Sequence, residues 1–265
     1  MEFPEGFYKA MNGDERTRLL IGDASAATLS AAHVLVVGLG GVGAYAAEML
    51  CRAGVGALTI VDGDVIEKSN LNRQLVALTS TIGQPKTEVM AARLLAINPE
   101  LRLTLVNEYL RDERTTEVLQ SAPFDYVVDC IDTLSPKTFL IYHAVQLGYR
   151  VISSMGSGGK MDPSQVAVGD ISKTRDCKLA RMVRKRLHRL GIFKGVKAVW
   201  SPEEVPAEAI RLEEGVNKNS TVGTISYMPP IFGCFIASEV IRDLMGQPPP
   251  SSGNEPNPRG DSPLP

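Results

Sequence analysis

The stretch VVGLGGVGAYAAEML, residues 36 to 50, constrains the fold more than any other part of the chain. Val34 to Val37 is a short apolar run, Gly38, Gly40 and Gly43 stand at G-x-G-x-x-G spacing, and Ala44 to Arg52 carries good helix formers with apolar residues at helical intervals. Strand, tight turn and helix in that order open a nucleotide-binding α/β fold. Unpaired N–H groups at the helix start, with about half a positive charge, would face a phosphate there. The bland alternative is a turn that only lets the helix pack closely on the sheet. By itself the turn does not separate a dinucleotide site from a mononucleotide site.

The unit then repeats. ALTIVD (57–62), RLTLV (102–106), DYVVDCID (125–132) and RVISS (150–154) read as strands; KTEVMAARLLAINP (86–99), residues 112–120 and PKTFLIYHAVQLG (136–148) read as the helices between them. The alternation predicts a doubly wound, mostly parallel, Rossmann-like sheet covered by helices on both faces. Residues 1–170 are expected to form the nucleotide-binding domain. Residues 171–246 are expected to add a basic segment and a returning apolar helix (227–246) packed on that domain, after one more strand at VAVGDI. The last stretch, 247–265, is rich in Pro, Ser, Gly and Asn and is expected to lack fixed structure.

Composition narrows the class without naming a partner: the net charge is only -2, and 44% hydrophobic content is enough for a substantial core. Cysteines at 51, 130, 177 and 234 lie too far apart for a Cys-x-x-Cys pair, so neither zinc nor a disulfide framework is indicated. Cys51, Cys130 and Cys234 read as core residues, and His33, His143 and His188 show no metal-ligand spacing. The run from Val34 to Ala47 holds four glycines and follows a polar segment, so it reads as neither a signal peptide nor a transmembrane helix. A reducing cytoplasm fits these features.

The stretch DGDVIEKSNLNRQLVAL (62–78) favours a triphosphate over a nicotinamide cofactor. It sets Asn70, Asn72, Arg73 and Gln74 just beyond a strand's carboxyl end, where ligands of such sheets bind. An Arg fork matches the charge of a leaving pyrophosphate, and Lys86 adds a cation able to reach an α-phosphate. Asp62 would accept from a ribose hydroxyl or merely cap the DGD turn. Asp132 is placed to hold Mg²⁺, which prefers carboxylate and phosphate oxygens, or else to precede the next helix; Asp129 reads as structural. Residues 173–197 carry ten Lys or Arg against one acid, a pattern for phosphate neutralisation or for a solvated helix burying Leu179, Met182, Val183 and Leu187.

Taken together, GLGGVG, VDGDVIEKSNLNRQ, GQPKTEVM and DCIDT resemble the adenylation domain of ubiquitin-activating-enzyme-like (HesA-MoeB-ThiF) proteins over roughly residues 12 to 170. The resemblance implies an ATP site at Gly38, Gly40, Gly41, Gly43, Asp62, Asn70, Arg73, Gln74 and Lys86, with Mg²⁺ on Asp132. It also implies a homodimer in which Arg18 of the second copy completes the site. RLLIGDA, KTEVMAARLLAINPE, DCIDTLSPK and MGSGGKMDPSQ are similar to the tRNA threonylcarbamoyladenosine dehydratase branch. That branch implies an AMP-forming, ligase-type reaction that closes a ring on the modified adenosine at tRNA position 37. Relatives that activate a ubiquitin-like sulfur carrier are the alternative, although they commonly carry zinc-binding Cys-x-x-Cys pairs absent here. Cys177 falls where some relatives place a thioester- or persulfide-forming cysteine, which would give it a covalent role and add a sulfur-transfer protein as partner, but ring closure needs no thiol, so the residue is expected to be nonessential.

Overall fold

Strands buried on both faces need apolar residues at every position, and such runs build the centre of this protein. The computed structural model describes residues 13–212 and 220–246. Two short helices, α1 (Glu15–Ile21) and α2 (Asp23–Ala31), precede β1 (His33–Val37), α3 (Gly43–Arg52), β2 (Ala57–Val61), α4 (Lys86–Ile97) and β3 (Arg102–Val106). There follow α5 (Asp112–Gln120), β4 (Tyr126–Asp129), α6 (Leu134–Gln146), β5 (Val151–Ser154) and β6 (Ala167–Asp170). Then come α7 (Lys178–Arg189), β7 (Lys197–Trp200), a small hairpin of β8 (Ile210–Leu212) and β9 (Ser220–Val222), and α8 (Met228–Leu244).

The main sheet has seven strands in the order β3-β2-β1-β4-β5-β7-β6, all parallel except β6, which runs antiparallel to β7. Side chains alternate between two cores, as the period of two requires. Val34 and Val36 face a core shared with α3, α4 and α8, whereas Leu35 and Val37 face one shared with α5, α6 and α7. The direction of strand addition reverses at β1, whose neighbours are β2 and β4. A crevice opens at the carboxyl ends of the strands at such a switch point.

The doubly wound, mostly parallel sheet matches the expectation, with some differences. KAVW is β7, inserted between β5 and β6. Its polar first residue and the cationic run before it hide the strand in the sequence, while in three dimensions the Lys197 ammonium is matched by Glu239 and Asp243 of α8, each at 2.8 Å. Met182 is 41% exposed, so α7 buries Ala180, Val183 and Leu187 instead. Cys234 is exposed on α8, a correction to its reading as core. The expectation for residues 247–265 lies outside the described residues. Among the described residues, no helix is long and apolar enough to cross a membrane.

Candidate active site

The glycine turn after β1 uses its glycines for different purposes. Gly38 has φ 92°, and a Cβ there would lie 2.8 Å from the Cys130 carbonyl oxygen. At Gly43 a Cβ would collide with the Gly38 carbonyl at 1.8 Å, and at Gly41 it would meet Pro229 of α8 at 2.9 Å. Gly40 differs, because its nearest neighbour would be Gln74 Nε2 at 3.8 Å. Three glycines therefore serve the protein's own packing, and the fourth keeps an open approach to the backbone for a ligand.

Asp62, at the end of β2, holds this turn directly. Its Oδ2 accepts from the Leu39 N–H at 2.6 Å and its Oδ1 from the Asp64 N–H at 2.8 Å. The capping role foreseen for the DGD turn is thus realised, and the remaining lone pairs stay available to a ribose. Burial pushes the Asp62 carboxyl above its ordinary value, against the pull of Lys86 and the two N–H groups. Lys86 opens α4 and is buried, with its ammonium 2.7 Å from Asp64 and 4.0 Å from Asp62. Asp64 also accepts from the Tyr109 hydroxyl, a partner that sequence reading missed because the two are 45 residues apart. That bond raises the Tyr109 phenol to about 12.

Residues 68–74 fold into a tight turn beside the glycines. Asn70 is buried and its Oδ1 accepts from the Glu67 N–H at 3.1 Å, closing a capping box. Its carbonyl accepts from the N–H groups of Arg73 and Gln74, which orders both. The Arg73 guanidinium donates through Nη1 to the Ser69 carbonyl (2.9 Å) and Asn72 Oδ1 (2.8 Å). Gln74 is buried next to Gly40, and its Oε1 has no hydrogen-bond partner among the described residues. An orphaned buried acceptor costs about 1–3 kcal/mol, so this atom fits a site completed by a ligand's donor.

The β4 end supplies the opposite wall. Asp129 and Lys137 are fully buried and paired at 2.7 Å, with the Ser153 hydroxyl donating to the same carboxylate at 2.6 Å. The pair also fixes Ile131, whose N–H reaches Asp129 Oδ1 (3.1 Å) and whose carbonyl accepts from Lys137 Nζ (2.9 Å). Asp129 is therefore structural, as its reading had it, and Lys137 is a partner the sequence concealed. Asp132 follows this clamped segment at the surface, one residue before Thr133, the N-cap of α6. Among the described residues no group of three or more His, Cys, Asp or Glu could cage a metal. Mg²⁺ needs no such cage when phosphate oxygens complete its shell, so one carboxylate fits it.

Arg18 lies apart from these strand ends, on α1, where Asp14 (2.7 Å) and Asp23 (3.2 Å) of its own chain hold it. The structure thus brings together the glycines, Asp62, Asn70, Arg73, Gln74, Lys86 and Asp132, but not Arg18. Cys177 is buried at the N-cap of α7. Lys160, in the Gly-rich loop after β5, is also buried; its ammonium, lowered by that burial, donates to the Glu203 carbonyl.

The model of the ThiF family matches residues 15–258. The chain is similar to the tRNA threonylcarbamoyladenosine dehydratase of Bacillus subtilis, at 38% identity over 87% of this chain and 93% of that one. The Haemophilus influenzae dehydratase is 36% identical, over 83% of this chain and 88% of that one. Its backbone superposes on the E. coli tRNA N6-threonylcarbamoyladenosine dehydratase in complex with ATP with a TM-score of 0.80, at 32% identity over 93% of this chain and 98% of that one. With its parallel sheet, its switch-point crevice and the polar residues gathered there, the chain belongs to the ThiF family.

Proposed function

We propose that this protein uses ATP to dehydrate threonylcarbamoyladenosine at position 37 of tRNA, releasing AMP and pyrophosphate. The observation that carries the reading is the near full-length likeness, in sequence and backbone, to proteins named for that reaction, one of them solved with ATP. The threonyl carboxylate attacks the α-phosphorus, an O–P bond forms, and the bond to the bridging oxygen of pyrophosphate breaks. A nucleophile of the same side chain then attacks the activated carbonyl; the C–O bond to AMP breaks and the nucleophile's proton leaves. One water is lost in sum.

The residues divide this work by position. Gly40 lets the triphosphate approach the α3 N-terminus, whose partial positive charge favours it. Gln74 Oε1 accepts from a donor of the nucleotide, and Asp62 from the ribose. Lys86, already desolvated, can exchange its Asp64 carboxylate for the α-phosphate oxygens, where charge builds up in the transition state. Arg73 pairs with the leaving pyrophosphate through its remaining guanidinium edge. Mg²⁺, held by Asp132 and phosphate oxygens, would neutralise charge on the triphosphate.

A homodimer fits one further observation. Leu19 and Leu20 beside Arg18 are 89% and 85% exposed, an apolar pair that a second copy would cover while presenting its own Arg18 to the β- and γ-phosphates. The basic segment 173–197 offers the cations a tRNA needs.

The test is AMP release from ATP and Mg²⁺ by the purified protein, with and without threonylcarbamoylated tRNA, followed by mass spectrometry of the digested nucleosides. The expected result is tRNA-dependent AMP with a modified adenosine lighter by one water. AMP release that requires a small ubiquitin-like sulfur carrier, and ignores tRNA, would replace this reading with carrier activation.

A further inference from the structure

A second cationic feature stands apart from the nucleotide residues. Asp176, Cys177, Lys178, Arg181 and Arg184 line a cavity of about 300 Å³ at the start of α7, three cations against one carboxylate. Arg184 is fixed there, because its Nη1 donates to both the carbonyl and the hydroxyl of Thr174. A Cβ on Gly156, two residues beyond β5, would come 3.9 Å from the Cys177 sulfur. The cavity therefore opens at the carboxyl edge of the sheet, the edge that carries the glycine turn. The far end of α7 leads back to the start of β7 at the opposite edge, where the Gly195 N–H donates to Asp170 at 2.6 Å.

Charge placement at this end of α7 is unfavourable without a ligand. The first turn holds no acid, Cys177 makes no capping hydrogen bond, and Lys178 and Arg181 sit at the positive end of the helix dipole. An anion in the cavity would relieve all three. The positive charge also continues outside it: Lys178, Arg181, Lys185 and Arg189, at i, i+3, i+7 and i+11, form one exposed stripe opposite the buried Ala180, Val183 and Leu187. None of the four is in an ion pair within the described residues. The stripe is about 16 Å long at 1.5 Å per residue. A free phosphate or pyrophosphate would have no use for it, whereas a nucleic-acid backbone would.

We infer that this cavity holds the tRNA backbone phosphate beside the modified adenosine, and that the RNA runs from there along α7 with its stem toward Arg189. The inference rests on the function proposed above. It gives the docked tRNA a direction, delivering the reactive nucleoside to the edge where ATP is activated and keeping the stem clear of it.

The test is the affinity of an anticodon stem-loop containing threonylcarbamoyladenosine, made with its native backbone or with one neutral methylphosphonate beside that nucleoside. Arg181→Ala, at an exposed position, should weaken native RNA binding about ten-fold and lower the salt slope by about 1. The methylphosphonate should weaken the unmutated protein similarly but add nothing to Arg181→Ala, while its effect and that of Arg189→Ala should multiply. Unchanged affinity in Arg181→Ala, or multiplying effects at Arg181, would overturn the placement, as would competition by inorganic pyrophosphate that Arg181→Ala abolishes while the methylphosphonate has no effect. The unmutated protein's AMP release with the same RNA separates the two ideas. Release with a failed cycle sinks the cavity alone, and no release sinks the function and the docking together.

Discussion

Two Lys–Asp pairs close the carboxyl ends of the strands flanking β1, and they are built for different ends. Asp129, the last residue of β4, and Lys137 of α6 are wholly shut off from solvent, with every bond spent inside the protein. Lys86 is also buried, yet its partner Asp64 is 46% exposed and shared with Tyr109. A sealed pair can only hold its surroundings in place. A pair with one partner open to water can change partners, because Asp64 returns to solvent at little cost once a phosphate takes the lysine. The same two residue types thus form a sealed clamp on one side of the switch point and, on the other, a pair with one partner open to water, which is what the proposed phosphate contact of Lys86 needs.

The largest loss is expected at the sealed pair. Lys137→Met should cost about 3–5 kcal/mol in urea unfolding, because it strands a buried carboxylate whose charged form burial already disfavours. Adding Asp129→Leu should return much of the loss, since no buried charge is then left unmatched. A Lys137→Met protein as stable as the parent would remove the clamp from the argument. At the open pair the effect should move from stability to chemistry. Lys86→Met is expected to slow AMP formation by about 10²-fold while costing less stability than Lys137→Met, because Asp62 keeps its two N–H donors and Asp64 can turn to water. A large stability loss with normal turnover would make both pairs structural.

The smallest effect is expected at the opposite edge of the sheet. His33, the first residue of β1, bonds Thr59 Oγ1 at 2.9 Å and packs edge-on against Phe124, and burial, aided by Arg102, holds its imidazole below its ordinary value of 6.5. Between the folded and unfolded values the unfolded chain binds more protons, so this residue's contribution is intact above about pH 6.5 and is lost as the pH falls through the folded value. Urea midpoints should therefore drop slightly on acidification, and His33→Gln should flatten that drop. An unchanged pH dependence in the variant would assign it to other groups.

Much of the architecture was legible because its signals are local. VLVV is a continuous apolar run and ALTIV and YVV nearly so, a pattern that suits a doubly covered sheet, and the glycine turn between a strand and a helix marks the crevice. Asp62, Asn70, Arg73, Gln74 and Lys86 all follow within 25 residues of β2, so the backbone alone had to bring them near the turn. Other features lie beyond such reasoning. β7 is hidden by the lysine that begins it, and α1 and α2 carry no strong apolar period. Nothing in the sequence near Lys137 points to its buried pairing with Asp129, eight residues earlier on β4.

The sequence by itself determined the class of fold, the position of the switch-point crevice and the chemical types of the groups around it, since spacing and burial pattern act over a few residues at a time. Tertiary structure decided which of those groups are free to act. It sealed one lysine and paired another with a half-exposed carboxylate, braced Gly41 with Pro229 from the distant α8, left Gln74 Oε1 without a partner among the described residues, and turned a basic segment into a stripe that begins in a cavity. The reason is physical. Burial and pairing are properties of neighbours in space, and here many of those neighbours come from strands and helices far apart in the chain.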